Sequence, residues 1–322
     1  MRVCVTGGTG FVGKALAKRL LAAGAQVRVL ARPSLRADAL EEAGAEVVRG
    51  DLGDADAIAR AVEGAEIVYH AAAKVSGGGS RKAFFDANVR GTDAVLQGSL
   101  RAKPRRIVYL SSIAVYGLAE PGEMIDEDTP FDDRPEERDF YASSKIEADR
   151  LTMKFAKHSA VPVTILRPGV IFGPGRPLPT GLIGARIGKL DIVFGRPSQP
   201  FPLVYIENLL DALELAAQSS DPCLLQYIVL DDEKLTLGRF HAAREKVTGS
   251  RTIFLPTWPV VTAATVSHPV LRFFPGDAGA FSRRQMLRAS QDRHYSTRRI
   301  RDELRWSQKV PLADAIARTL AG

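Results

Sequence analysis

Short apolar segments alternate with helix-like segments along the first 170 residues of the chain. Strands are predicted at residues 2–6, 26–31, 46–49, 66–69, 106–110 and 163–166, and helices at residues 12–23, 35–43, 54–63, 84–101 and 140–157. Repeated βα units of this kind predict an α/β fold, in which a doubly wound parallel sheet is covered by helices on both faces. The predicted strands are apolar, as expected of strands buried on both sides.

The pattern changes after Arg167. Residues 168–204 are rich in proline and glycine, residues 205–230 resume the regular pattern, and residues 231–322 contain helix-like pieces without strict alternation. We therefore predict two domains. The sheet domain covers residues 1–170, with residues 205–230 returning to it, and a smaller, discontinuous α+β domain that binds the substrate covers most of residues 171–322, as the two stretches 171–204 and 231–322.

Composition narrows the class of protein. With 45% hydrophobic and 25% charged residues, the 322-residue chain is neither disordered, collagen-like nor disulfide-rich. Its two cysteines, Cys4 and Cys223, cannot form a disulfide framework and lack the spacing of a zinc site, so we expect a reducing, cytoplasmic setting and no metal. The most apolar stretch, residues 258–271, is interrupted by prolines and is too short to span a bilayer. No transmembrane segment is expected, and peripheral membrane contact is disfavoured.

The net charge of +7 favours anionic partners without choosing among them. Residues 283–309 hold nine Arg and Lys against three acidic residues, so 9 − 3 = +6 of that charge lies in one short region. A surface that binds nucleic acid often interleaves stacking aromatics, and here only Tyr295 and Trp306 qualify. We interpret the region as a solvated basic face and expect no nucleic-acid partner.

A glycine-rich turn separates the first predicted strand from the first predicted helix. Gly7, Gly10 and Gly13 provide a tight turn and allow a close approach of the backbone to a pyrophosphate, and the helix N-terminus offers free N–H groups to phosphate. The segment predicted to contact a dinucleotide comprises Gly7, Thr9, Gly10, Phe11, Val12 and Gly13.

The end of the second predicted strand indicates which dinucleotide binds. Enzymes that use NAD usually place Asp or Glu there to bind the ribose 2′-hydroxyl, whereas this chain has Ala31 followed by Arg32. A guanidinium can pair with a 2′-phosphate, and Ser34 can add a hydrogen bond, so NADP(H) is favoured with NAD(H) as the alternative. After the third strand, Asp51 and Leu52 are predicted to contact the adenine.

Two further motifs carry acid–base chemistry. Tyr141 and Lys145 are four residues apart on one predicted helix face, where an ammonium is expected to lower the pKa of the phenol. Ser112 follows the fifth predicted strand, and ligands of such sheets bind at the carboxyl ends of strands. A serine there can hydrogen-bond a substrate oxygen that gains charge during hydride transfer.

Together with the segment Leu166-Arg167-Pro168-Gly169, these motifs resemble the extended short-chain dehydrogenase/reductase superfamily, which includes the NAD-dependent epimerase/dehydratase family. The resemblance implies a Rossmann-like fold, with Tyr141 as acid/base, Lys145 on the nicotinamide ribose and Ser112 as the catalytic serine. It implies a homodimer formed through the helices near 84–101 and 140–157. It adds as cofactor-binding residues Ala71, Ala72, Ala73, Lys74, Asn88, Tyr141, Lys145, Pro168, Gly169 and Val170.

Within the superfamily, the chain most resembles the 3β-hydroxysteroid dehydrogenase and dihydroflavonol-reductase branch. Nucleotide-sugar epimerases usually carry Arg-Asp where this chain has Phe201-Pro202. We therefore predict hydride transfer between NADP(H) and a secondary alcohol or ketone on an apolar small molecule of steroid, flavonoid or β-keto acid type. Residues predicted to line the apolar pocket are Phe254, Leu255, Trp258, Val260, Val261, Leu271, Phe273 and Phe274.

The alternative is a nucleotide-sugar epimerase or reductase that uses the same trio, with Arg186 and Arg196 clamping the diphosphate. A non-catalytic dinucleotide sensor is a third hypothesis, which the presence of the Tyr141/Lys145 pair disfavours.

Overall fold

A computed structural model describes residues 1–75, 79–117, 123–179, 184–221, 223–257 and 292–322. The strands of these residues, in chain order, are β1 (Arg2–Thr6), β2 (Gln26–Ala31), β3 (Glu46–Arg49), β4 (Ile67–His70), β5 (Arg106–Leu110), β6 (Met124–Ile125), β7 (Val163–Pro168), β8 (Val170–Phe172), β9 (Gly184–Ile187), β10 (Leu190–Phe194), β11 (Leu203–Tyr205), β12 (Leu225–Val229), β13 (Arg251–Leu255) and β14 (His294–Tyr295).

The helices connect these strands. They are α1 (Phe11–Ala22), α2 (Leu35–Glu42), α3 (Ala55–Val62), α4 (Arg81–Phe85), α5 (Gly91–Ala102), α6 (Phe140–His158), α7 (Ile206–Gln218), α8 (Leu237–Thr248), α9 (Arg298–Leu304) and α10 (Leu312–Ala321).

A seven-stranded sheet forms the centre of the fold, in the order β12–β7–β5–β4–β1–β2–β3. All of its neighbouring strands pair in parallel. The order reverses between β1 and β4, and in sheets of this kind ligands bind outside the carboxyl ends of the strands at that reversal. The predicted doubly wound α/β fold is confirmed, and β12, from the stretch 205–230 predicted to return to the sheet domain, forms one edge of the sheet.

The predicted helix at 84–101 is longer and less regular than expected. It starts at Arg81, because the Ser80 side chain caps it by accepting a hydrogen bond from the Ala83 N–H at 3.3 Å. A π-helical turn at Asp86–Arg90 then joins α4 to α5. Such turns are frequent at functional sites, and this one contains Asn88.

Among the described residues, three smaller sheets lie outside the main sheet, and the helices α8, α9 and α10 accompany them in the second predicted domain. β10 pairs with β9 and β13, β8 pairs with β11, and β14 pairs with β6. One hydrophobic cluster runs from the main sheet into this region, from Val5 on β1 through Phe172 and Phe240 to Trp306. The division into two domains stays a prediction.

Candidate active site

A cavity of about 1080 Å³ opens at the carboxyl ends of the main strands. It is lined by residues that follow β1, β2, β3, β4, β5 and β7. The predicted site residues on its wall are Gly7, Thr9, Gly10, Phe11, Val12, Gly13, Arg32, Asp51, Leu52, Ala71, Ala72, Ala73, Lys74, Ser112, Tyr141, Lys145, Gly169 and Val170. The fold therefore brings nearly the whole predicted set to one place.

The glycine turn is packed too tightly for side chains. Gly7 has φ +74°, and a Cβ placed on it would lie 2.7 Å from the backbone of Ala72. A Cβ on Gly13 would lie 2.2 Å from the carbonyl oxygen of Gly7. The turn is closed by a hydrogen bond of 2.9 Å from the Gly10 N–H to the Gly7 carbonyl. Glycine is therefore required at both positions for this close packing.

The start of α1 is suited to a diphosphate. Its N-cap is Gly10, which has no side chain to cap the helix, and its first turn holds no acidic residue. The first hydrogen bond of the helix runs from the Lys14 N–H to the Gly10 carbonyl, at 2.9 Å. The preceding N–H groups are those that a helix leaves without internal partners, and with the helix dipole they favour an anion. The residues present thus fit a dinucleotide.

Arg32 and Asp51 mark the other end of this half of the cavity. Arg32 follows β2 and is exposed on the cavity wall. Ser34 caps α2, accepting from the Ala37 N–H at 3.3 Å. Asp51 accepts from the Gly53 N–H at 2.7 Å, so one oxygen of its carboxylate shapes the loop.

Tyr141 and Ser112 both line the cavity. Tyr141 lies in the first turn of α6, which Asp139 caps by accepting from the Ala142 N–H at 2.8 Å. Ser112 follows β5, and its hydroxyl accepts from the Ala114 N–H at 3.1 Å. Ser112 acts to lower the pKa of the Tyr141 phenol, so the two hydroxyl groups lie near each other. Helix α6 and the segment after β5 therefore bring both hydroxyl groups to the same cavity.

Lys145 lies one turn further along α6 and is buried. Its ammonium donates to the Leu110 carbonyl at 2.8 Å and to the Tyr109 hydroxyl at 3.3 Å. Burial lowers the pKa of Lys145 to about 8, and Asp149 opposes that shift.

The pKa of Tyr141 differs from the expectation. Burial raises it to about 12, although the Ser112 hydroxyl acts in the opposite direction. The predicted lowering by Lys145 is therefore not seen in this state of the protein. Tyr141 is a neutral phenol near pH 7, which is the form that can give up a proton.

Two predicted cofactor residues do not lie on the cavity wall. The Asn88 side chain bonds the backbone of Lys74 in both directions, at 2.6 and 3.0 Å, and donates to the Ser144 hydroxyl at 2.8 Å. Asn88 therefore holds the segment that lines the cavity. Pro168 is buried at the end of β7, and the cavity wall begins at Gly169.

His70 supports the wall from behind. Its two ring nitrogens lie 2.7 Å from the Thr6 hydroxyl and 2.8 Å from the Thr92 hydroxyl. Burial lowers the pKa of His70 to about 3, so it is neutral near pH 7. It ties β4 to β1 and α5 and so fixes the strand end from which Ala71 to Lys74 continue.

The predicted diphosphate clamp is wrong. Arg186 is paired with Asp191 at 3.0 Å across the β9–β10 hairpin, and Arg196 is paired with Asp292 at 2.8 Å. Neither arginine lines the cavity.

The predicted apolar pocket also differs. Phe254 packs against the core beside His241, and Leu255 is partly exposed, and neither lines the cavity. The remaining predicted residues, Trp258 to Phe274, lie outside the described residues.

Sequence reasoning missed several residues that line the cavity, among them Arg176, Gln199 and Arg293. The guanidinium of Arg176 lies 4.8 Å from the centre of the Phe11 ring, beside the glycine turn. Its position after the Gly173-Pro174-Gly175 turn is the signal that could have found it. Arg293 lies in the predicted basic face of residues 283–309, and its local sequence does not distinguish it from the neighbouring basic residues.

The described part of the chain contains no helix long and apolar enough to cross a membrane. Within the same residues, no cluster of three or more His, Cys, Asp or Glu side chains is arranged to bind a metal ion. Cys4 is buried on β1, and Cys223 is exposed; both are free thiols.

Comparison with known proteins gives consistent matches. A model of the "NAD dependent epimerase/dehydratase family" matches residues 3–224. The chain is 34% identical over 249 residues to a 2-alkyl-3-oxoalkanoate reductase of Shewanella oneidensis, covering 73% of this chain and 63% of that protein. It therefore spans less than two thirds of that reductase.

A second relative is the 3 beta-hydroxysteroid dehydrogenase/Delta 5→4-isomerase of Mycobacterium tuberculosis, which is 31% identical over 285 residues, or 84% of this chain and 74% of that protein. Among solved structures, the crystal structure of gox2253 matches with a TM-score of 0.81 and 26% identity over 100% of this chain and 97% of that one.

Proposed function

The chain belongs to the NAD-dependent epimerase/dehydratase family of extended short-chain dehydrogenases/reductases and is an NAD(P)-dependent enzyme of that family. Within that family, we propose that it is an NADP(H)-dependent oxidoreductase. It interconverts a secondary alcohol and a ketone on a largely apolar substrate.

The observation that carries the proposal is that Tyr141, Ser112 and Lys145 line the same cavity, whose other half suits a dinucleotide. Lys145, one helical turn away, places a buried ammonium at the same end of β5. These three side chains supply a proton donor, an oxygen-binding hydroxyl and a positive charge next to the place where a nicotinamide would reach from the glycine turn.

We assign the following roles to these residues. When bound, the dinucleotide supplies or accepts the hydride. The Ser112 oxygen accepts from the Ala114 N–H, which leaves its own hydrogen free to be donated to a substrate oxygen. Tyr141 gives its proton to that oxygen during ketone reduction and takes it back during alcohol oxidation. Lys145 holds the nicotinamide ribose and keeps a positive charge at the same end of β5.

The preference for NADP(H) rests on Arg32. It lies on the cavity wall directly after β2, where an NAD enzyme usually has an acidic residue, and among the described lining residues no carboxylate follows β2. A guanidinium there pairs with a 2′-phosphate.

An apolar substrate is supported by apolar residues of the cavity lining. Ile113 follows Ser112 in the chain, and Val170, Ile171, Pro200 and Pro202 also line the cavity. Phe201, which stands where the epimerases place arginine, is buried and packs on the Phe240 ring at 5.2 Å, so it gives a sugar diphosphate no partner. The name of the Shewanella relative, a reductase of 2-alkyl-3-oxoalkanoates, agrees with a substrate of this kind.

Substrate-dependent oxidation of NADPH tests the proposal, with steroid ketones, flavonoids, β-keto acids and UDP-sugars as the panel. Tyr141→Phe is expected to lose at least about a hundredfold in kcat while its affinity for NADPH stays within about threefold. Tyr205→Phe, a buried tyrosine outside the cavity, serves as the matched control and is expected to retain activity. Full activity of Tyr141→Phe, or turnover of UDP-sugars alone, would contradict the proposal.

We further infer a homodimer through α4, α5 and α6. Leu100 on α5 and Phe140 on α6 are large apolar side chains that stay 42% and 37% exposed in the single chain. Light scattering at increasing concentration is expected to give twice the chain mass, and Leu100→Lys combined with Phe140→Lys is expected to weaken the association. A monomer at all concentrations would contradict the inference.

A further inference from the structure

Arg293 lines the cavity with two buried donors, Nε and Nη2, that have no hydrogen-bond partner in the structure as described. These two donors lie along one edge of the planar guanidinium, in the geometry that donates one hydrogen bond to each oxygen of a carboxylate. Buried donors are almost always paired in folded proteins, because an unpaired one has lost its water without replacement. An unpaired edge on a cavity wall indicates a ligand that accepts from it.

The backbone on both sides of Arg293 is held in place. The preceding residue, Asp292, receives the Arg196 guanidinium at 2.8 Å on both carboxylate oxygens. The following residues form β14, which pairs in parallel with β6, and the Ser296 N–H donates to the Ile125 carbonyl at 2.8 Å. The position of Arg293 is therefore built by contacts with two distant segments of the chain.

Arg293 belongs to the substrate end of the cavity. Tyr295, two residues further on, also lines the cavity, and its ring centre lies 6.4 Å from that of Tyr116. Tyr116 ends the short segment that Ser112 begins. Arg32 and Asp51 mark the adenosine end of the cavity. They follow β2 and β3, which lie on the other side of β1 from β5, the strand that precedes Ser112.

Two other charged groups on the described wall, Arg138 and Asp86, are already in ion pairs. Arg138 is paired with Asp132 at 2.7 Å, and Arg176 lies over the Phe11 ring next to the glycine turn. The carboxylate of Asp86 is shared by Lys82 and Arg90. The acidic side chains among the described lining residues are Asp51 and Asp86, and neither forms an ion pair with Arg293.

We propose that Arg293 binds a carboxylate of the substrate, which makes that substrate a keto acid with an apolar chain. This inference rests on the proposed function, because it names the substrate of the same site. The apolar chain of the substrate packs against the apolar lining residues, while the Arg293 guanidinium donates hydrogen bonds to the carboxylate. Of the substrate types considered, a β-keto acid meets both conditions, and a neutral steroid or flavonoid leaves Arg293 unpaired.

The experiment compares an acid with its neutral ester. We expect the wild-type enzyme to reduce 3-oxodecanoate with a kcat/KM at least about tenfold above that for methyl 3-oxodecanoate. Arg293→Met is expected to lose this preference by lowering kcat/KM for the acid and not for the ester. Arg298→Met, which removes a side chain 86% exposed in the same segment, is the matched control and is expected to keep the preference.

A thioester of coenzyme A carries phosphates that Arg293 can also attract, so 3-oxodecanoyl-CoA is the third substrate. We expect its kcat/KM to be independent of Arg293, and a preference for it that disappears in Arg293→Met would overturn the carboxylate assignment. Arg293→Gln is the second variant if Arg293→Met does not fold.

A failure of the Arg293 assignment and a failure of the proposed function give different results. If Arg293→Met keeps the preference for the acid, or lowers acid and ester equally, the role of Arg293 is overturned while the ketoreductase function stands. If the wild-type enzyme reduces no member of the keto acid, steroid and flavonoid panel, the proposed function itself is overturned.

Discussion

Asp149 and Arg167 form an ion pair in which neither side chain is exposed, with 2.8 Å between Asp149 Oδ2 and Arg167 Nε. Asp149 lies one turn of α6 beyond Lys145, and Arg167 lies on β7 in the main sheet. Arg167 also donates to the Tyr116 hydroxyl at 2.9 Å and to Gln226 at 2.7 Å. This pair therefore anchors the helix that carries the proposed catalytic residues to the sheet beneath it.

Asp149→Ala is expected to lower the free energy of unfolding by about 3–5 kcal/mol, because it leaves the buried Arg167 charge without its carboxylate. Urea denaturation followed by circular dichroism measures this change. Glu147→Ala on the same helix breaks the Glu147–Arg150 pair, whose side chains are 38% and 45% exposed. Its expected cost is below about 1 kcal/mol. Equal effects of the two variants would show that the buried pair does not anchor the helix.

Gly13→Ala is expected to abolish tight dinucleotide binding while the chain still folds. The added methyl group would lie 2.2 Å from the Gly7 carbonyl oxygen, so the turn and the start of α1 must move apart. We expect the Kd for NADPH, measured by fluorescence titration, to rise at least about tenfold. Gly24→Asn, at a position of φ +79° with no atom within 4 Å, is the matched control. Unchanged affinity in Gly13→Ala would rule out the glycine turn as the phosphate site.

Arg32→Glu is expected to reverse the choice of dinucleotide. The substitution removes a partner of the 2′-phosphate and supplies the acidic residue that binds a ribose 2′-hydroxyl. The ratio of kcat/KM for NADPH to that for NADH should fall at least about tenfold, since hydrogen bonds to charged groups contribute about 1.5–3 kcal/mol. Arg60→Ala, an exposed arginine on α3 away from the cavity, should leave the ratio unchanged. A wild-type enzyme that prefers NADH would contradict the assignment from the outset.

The part of the site that could be predicted from the sequence is the part built by local segments. The glycine turn, Ser112 and the Tyr141/Lys145 pair each follow or begin one regular element, and parallel βα topology brings the carboxyl ends of strands together. Their places in the βα series were therefore enough to predict that they meet.

Contacts between distant segments could not be predicted in this way. Arg293 reaches the cavity because β14 pairs with β6, about 170 residues earlier in the chain, and in the sequence it is one of nine basic residues in a run. Arg186 pairs with Asp191 across a hairpin that the Pro- and Gly-rich pattern did not indicate. The pKa of Tyr141 depends on burial, which sequence spacing does not reveal.

Affinity for NADPH is expected to fall as the pH rises through about 8. Burial lowers the pKa of Lys145 to about 8, so its ammonium is present below that pH and is lost above it. The affinity is expected to fall by up to about tenfold between pH 8 and pH 9, since Tyr141, with a pKa of about 12, does not titrate in this range. Fluorescence titration without substrate measures the Kd for NADPH at pH 7 and above. At these pH values the 2′-phosphate of the ribose has already lost its second proton, so its charge does not change during the titration. Lys145→Met should bind NADPH weakly and equally at pH 7 and pH 9, because the titrating group is absent. If its affinity still falls between these values, another group carries the pH dependence and Lys145 does not hold the dinucleotide by its charge.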